Sequence, residues 1–284
     1  MPKDFPADNV AALETAPHVE LATILSGPGY QKYGRFIFAV LGAIPWVGSL
    51  MAAAAAMHAE AEQSRANELM YRWVEEHEHT LNELSETVAK MVSRLEQLGD
   101  EVEARLKDES YLSLVRYGFR IWDDSGSKEK RENIRHTLTN AAGTRICSDD
   151  VVRLFLQWLQ LYNELHFRVI RILYKNPGAT RADIWAELHG EEVREDSADA
   201  DLFKLMMRDL STGSVLRQSR DTTADGHFLA RPKAARSPRR RVVLESAFED
   251  TKPYELTELG SQFVHYAMND IVPRIQSPDK GGAG

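Results

Sequence analysis

Three patterns of apolar and polar positions divide the chain. The first is a run without polarity: "FIFAVLGAIPWVGSLMAAAAAM", residues 36–57, contains no charged side chain. A helix of those 22 residues rises about 33 Å, close to the ~30 Å hydrocarbon thickness of a bilayer. Its quality as a span is mixed, because Ala fills seven positions and Gly42, Pro45 and Gly48 weaken or break a helix. Two readings follow. Either a break at Gly42 to Pro45 turns the segment back as an apolar hairpin in a helical core, or the segment contacts lipid as hairpin or span. The second reading assigns membrane contact to Phe36, Phe38, Leu41, Ile44, Pro45, Trp46, Val47 and Leu50.

The second pattern is a heptad. Met70, Val74, His77, Leu81, Leu84, Val88, Met91, Leu95, Leu98 and Val102 recur at alternating gaps of four and three. Gly and Pro are absent from Glu60 to Leu98, so the spacing predicts one long helix over 58–107. A stripe of that length requires cover. It is supplied by a second copy, through self-association, or by a companion helix such as "ESYLSLVRYGFRIWDD", "KEKRENIRHTLTNAA" or "SDDVVRLFLQWLQLYNELHFRVIRILYKN". The last reads as a single buried helix capped by Ser148 and stopped at Asn176-Pro177-Gly178.

Beyond Pro177 the units shorten. "ATRADIWAEL" reads as a short helix with Thr180 as N-cap and Asp183 three residues on. "SADADLFKLMMRDLSTGSVLRQ" reads as a second helix, capped by Ser197 and ended by Gly213, that runs into a strand. "GHFLARP" supplies a second strand, and "YELTELGSQFVHYAMND" a closing helix.

This order resembles a winged helix-turn-helix domain over roughly residues 151–272. "NPGATRADIWAEL" looks like the Pro-Gly-x-Thr lead into the helix before the recognition helix, and "YELTELG" like the Leu-Thr-x-x-Gly that follows the wing in bacterial regulators. The resemblance implies a second helix whose N-terminal end meets DNA bases. Here that end carries Glu195, Asp196, Asp199 and Asp201, which a polyanion repels, so contact with protein suits it at least as well. Lys204, Arg208 and Arg217 remain candidates for an anion, together with Arg239, Arg240 and Arg241 in a loop holding six Lys or Arg among residues 231–241. The apolar run likewise resembles the insertion segments of helical pore-forming proteins. Lys32 and Arg35 before it, and Glu60 and Glu62 after it, would keep an inserted N-terminus on the cytoplasmic side.

Charge and composition narrow the classes. A net charge of −8 disfavours a protein whose whole surface grips phosphates. One cysteine, Cys147, excludes an internal disulfide or a thiolate cluster and suits a reducing compartment. The first 33 residues lack a basic start and apolar core, so they read as an irregular leader without a secretion signal. No phosphate loop, nucleophile elbow or zinc-protease motif occurs. His77 and His79 beside Glu75 fall on or next to the heptad seam and read as a seam or solvated cluster.

The expectation is therefore a mostly α protein: a leader over 1–33, a helical domain over 34–147, a winged-helix-like α/β domain over 148–275 and a disordered tail over 276–284. Its expected function is non-enzymatic, without cofactor or metal. It is a cytoplasmic protein that associates with the cytoplasmic membrane and carries a winged-helix sensing or protein-contact module. The alternative is a cytosolic nucleic-acid-binding protein dimerised through the heptad helix.

Overall fold

The computed structural model describes residues 30–48, 64–99, 101–144, 146–190, 193–219, 223, 225 and 246–268, and for 30, 31, 64–78 and 101 the backbone alone. The leader before Tyr30, Leu50, the "GHFLARP" strand, Arg239, Arg240, Arg241 and the tail lie outside the described residues. The fold is mostly helical, with one pair of short strands among the described residues. It divides into two compact units, the first ending at Gln160 and the second beginning at Leu161. That division falls one helix further along the chain than the 147/148 boundary read from sequence.

The first unit holds α1 (Tyr30–Leu41), α2 (Ser64–Gln97), α3 (Glu101–Lys107), α4 (Glu109–Asp124), α5 (Lys128–Gly143) and α6 (Asp149–Leu161), which ends at the boundary. The apolar run is not one helix. α1 stops at Leu41, a turn closes with Gly42 N bonded to Phe38 O at 2.9 Å and Ala43 N to Val40 O at 3.0 Å, and helix resumes at Pro45. Proline suits a first helical turn, where its missing N–H has no bond to make. α1 packs on α3 and α4. No helix among the described residues is long and apolar enough to cross a membrane.

The long helix is shorter than its pattern. α2 ends at Gln97 because Gly99 takes φ +78°, a left-handed conformation that closes helices, and α3 begins two residues on. Leu81, Leu84, Val88, Met91 and Leu95 are buried, and α5 of the same chain packs on α2. Arg131 fastens the crossing: it pairs with Glu83 of α2, lies 4.3 Å over the Trp122 ring of α4 and bonds Trp122 O at 3.2 Å. Gly118 lets α4 and α5 approach, since a Cβ there would meet Leu138 Cδ1 at 2.9 Å. Arg105 of α3 pairs with Asp149 and so ties down the start of α6.

The expected single helix over 148–176 is two. α6 ends at Leu161, and α7 (Glu164–Lys175) starts afresh at Asn163, whose side chain accepts from His166 N while the His166 ring turns back to the Asn163 N–H. This reciprocal capping box satisfies amides that a continuous helix would have bonded internally. α8 (Arg181–Leu188), α9 (Ala198–Thr212), β1 (Leu216–Gln218), β2 (Tyr254–Leu256) and α10 (Glu258–Phe263) complete the second unit, α10 running on as a π turn over Val264–Met268.

The strands are antiparallel, with Leu216 opposite Leu256 and Gln218 opposite Tyr254. The partner of β1 thus comes from "YEL", which the sequence pattern assigned to the closing helix. Its core position explains this: Tyr254 is buried, and its N–H and C=O bond Ala179 O at 2.9 Å and Gly178 N at 2.8 Å. Phe203, Met206, Met207, Leu210, Val215 and Phe263 fill the core of this unit.

Candidate functional site

α9 organises the most distinctive surface of the second unit. Ser197 Oγ accepts from Ala200 N at 3.2 Å and Gly213 closes the other end. One face of α9, with Ala200, Phe203, Met206, Met207 and Leu210, is buried. On the outer side Leu202 is 41% and Leu205 40% exposed. Asp199, Asp201 and Arg208 are exposed around them.

Between α9 and the strand pair runs an open groove of about 710 Å³. Lys204, Arg208 and Arg217, expected from sequence to bind an anion, all line it, and Arg181 joins them from α8. Leu205, Leu216 and Tyr254 supply apolar wall. Most of the positive charge is answered from within. Lys204 lies 3.6 Å from Glu195 and 3.7 Å from Asp201, and Arg217 bonds Glu255 at 2.8 Å. Arg181 lies 5.5 Å over the Tyr254 ring and bonds Ser246 O at 3.4 Å. Arg208 alone of the four makes no hydrogen bond or ion pair among the described residues.

Glu195 is part of this neutralisation. Bonds from Ser246 Oγ and the Ala247 N–H, then the Lys204 charge, hold its carboxyl below the usual range. An anionic Glu195 therefore anchors the chain before β2 to the segment before α9. Sequence reading saw Glu195 only as an obstacle to DNA.

Four of the eight residues assigned to lipid lie in the core. Phe36, Leu41, Ile44 and Val47 are buried, Phe36 completely, whereas Phe38 is 60% exposed and Pro45 is exposed. Trp46 is half-buried and donates Nε1–H to Asp123 Oδ1 at 2.7 Å, so its polar edge has a protein partner. His79 is exposed and 3.7 Å from Glu83, and no metal-binding group of His, Cys, Asp and Glu occurs among the described residues. Cys147 is half-buried.

No family model, curated protein or solved structure matches the chain.

Sequence reasoning missed Arg181, Leu202 and Leu205. Arg181 stands at the first position of a short helix, between the capping residues Thr180 and Asp183, and no local pattern marks it. The leucines had a usable signal. Ala200, Phe203, Met206, Met207 and Leu210 already complete one core stripe at helical spacing. Leucines left over from a filled stripe face outward.

Proposed function

We propose that the chain is a non-enzymatic binding protein whose C-terminal unit is a winged-helix-like module used to contact protein through α9. The element order supports the architecture: α7, α8, α9, β1, β2 and α10. The backbone bonds of Gly178 and Ala179 to Tyr254 tie the lead into α8 to β2.

The outer face of α9 carries the functional reading. Exposed Leu202 and Leu205 offer apolar area that gains nothing from a phosphate backbone, and Asp199 and Asp201 repel one. Mixed charge around an apolar centre is the anatomy of a protein interface. A photoreactive residue placed at Leu205 tests this in cells. Covalent adducts with protein are expected; adducts with nucleic acid alone, or none, would overturn the reading.

A second reading, contact with phosphates, is favoured by one observation, the convergence of Arg181, Lys204, Arg208 and Arg217 on one groove. It is weaker because Glu195, Asp201 and Glu255 offset much of that charge.

Lipid contact through 36–57 ranks behind both as a resting state. Before lipid can take them up, exposing Phe36, Leu41, Ile44 and Val47 to water from the core costs about 1.5–3 kcal/mol each. The total is comparable with the whole stability of a typical domain, about 5–15 kcal/mol. Insertion therefore needs the first unit to open.

A further inference from the structure

The last turn of α9 holds Asp209 and no basic residue, although the carbonyl end of a helix carries the negative pole of its dipole and favours positive charge. α7 supplies the missing group. His166, buried in the first turn of α7, brings Nε2 to 4.0 Å from Asp209 Oδ2. Its ring stacks on Tyr162, with centroids 5.0 Å apart and planes 17° from parallel. Burial, and then the Asp209 charge, push the Tyr162 hydroxyl up to about 12, so this stacking face is a neutral phenol near pH 7. The same hydroxyl reaches the end of α9, where a Cβ on Gly213 would collide with it.

Asn163 sets what the nearer ring nitrogen must do. Its Oδ1 accepts from His166 N at 3.3 Å, which fixes the amide with its oxygen toward the start of α7. His166 Nδ1 lies 2.8 Å from that oxygen and 3.3 Å from the Asn163 nitrogen. The two contacts are alternatives. A bare Nδ1 accepts from the Asn163 N–H but sets its lone pair against Oδ1, whereas a protonated Nδ1 donates to Oδ1. The shorter contact calls for the proton. A neutral ring with its proton on Nδ1 would then turn a bare Nε2 toward a carboxylate. Only the imidazolium donates at both ends.

The other charged groups around α7 have different engagements. On α7 itself Glu164 is exposed, and Arg168 donates to Leu188 O at 2.9 Å. From α8, Glu187 accepts from Asn176 and Arg181 lies over Tyr254. From β2, Glu255 pairs with Arg217, and in the π turn His265 sits against Tyr174. On α9, Arg208 lines the groove.

We infer that His166 is a proton-operated latch between α7 and α9: protonated, it bonds Asn163 Oδ1 and pairs with Asp209, and on losing its proton it gives up the ion pair and returns to accepting the Asn163 N–H. The latch is independent of what α9 contacts. Its partners favour the charged ring, so the folded pKa stands above the ordinary histidine value of about 6.5. Burial of the ring opposes this, and water screens Asp209, whose side chain is 40% exposed, which holds the rise to about one unit. Stability from the latch is fully present below about pH 6.5 and is lost as pH rises through the folded value.

Titration of the full chain by NMR tests it, with the His166 ring signals assigned by comparison with H166Q. In wild type His166 should titrate above about 6.5, and in D209N its pKa should fall by about half a unit to one unit. D209N keeps the shape of a partly exposed side chain and should fold. The urea midpoint of the second unit, followed by the methyl signals of Met206 and Met207 in its core, should drop in D209N more at about pH 6 than at about pH 8. A wild-type His166 that titrates at or below about 6.5, a pKa unmoved by D209N, or a D209N deficit equal at both pH values would each overturn the inference.

Discussion

The α-carbon of Gly260 lies so close to the carbonyl oxygen of Val215 that a Cβ on it would collide with that oxygen. The approach is fixed by Thr257, three residues earlier. Its hydroxyl donates to Ser214 O at 2.6 Å and accepts from Gly260 N at 2.9 Å, while its own N–H bonds Val215 O at 3.0 Å. The Leu-Thr-x-x-Gly sequence thus staples the start of α10 onto the turn between α9 and β1.

Gly260→Ala should destabilise the second unit by about 2–4 kcal/mol, because backbone, not a flexible side chain, must move. Thr257→Ala should cost about 1–2 kcal/mol through the lost cap. Urea unfolding of both variants checks the order; an unaffected Gly260→Ala would contradict the close approach.

Ile44→Asp and Val47→Asp discriminate core from membrane contact. Both side chains are buried, so each substitution should lower stability by at least about 3 kcal/mol through an unpaired buried carboxylate. Thermal denaturation without any lipid is the measurement. Wild-type melting in both variants would mean that these side chains leave the core, as lipid contact requires.

Acid should weaken the second unit. The Asp183 carboxylate accepts from the Thr180 N–H at 2.9 Å and the Thr180 hydroxyl at 2.8 Å, which hold its pKa below the ordinary value. With the folded value depressed, the unfolded chain binds more protons. Stability present above the free carboxylate pKa of about 4 is then lost as pH falls through the folded value. Asp183→Asn should lower the urea midpoint slightly at pH 7 and flatten its decline below about pH 5, modestly because the carboxylate is exposed. An equal decline in both proteins would remove Asp183 as a contributor.

The groove should be a poor ligand for duplex DNA. Arg208 is its cation without a protein partner among the described residues. Any affinity measured by fluorescence anisotropy at low salt should fall more in Arg208→Ala than in Lys204→Ala or Arg217→Ala. A log–log salt slope steeper than about −4 would require several phosphates to be neutralised and would favour the nucleic-acid reading.

Much of the fold was legible because its signals are local. Caps at Ser148, Thr180 and Ser197, the closing Gly213 and the burial of Leu81 to Leu95 all follow from residues a turn or two apart. The failures have a common origin in the main chain. Gly99 and Asn163 end helices whose apolar spacing continues straight past them. "YEL" becomes a strand because Gly178 and Ala179, distant in sequence, offer it backbone partners. Periodicity reports which side chains want burial, and it is silent on where the main chain finds its hydrogen bonds. For the site, charge could be read residue by residue. The gathering of Arg181 with Lys204, Arg208 and Arg217 could not, since it depends on α8, α9 and the strands meeting.

The apolar side of α2 from Leu81 to Leu95 is taken up by α5, a segment of its own polypeptide. Formation of that contact is a first-order event, independent of how much protein is present. Dilution should therefore leave this packing of α2 on α5 unchanged, while any assembly of the chain through α9 obeys mass action. Scanning calorimetry across a concentration series separates the two behaviours without altering a single residue.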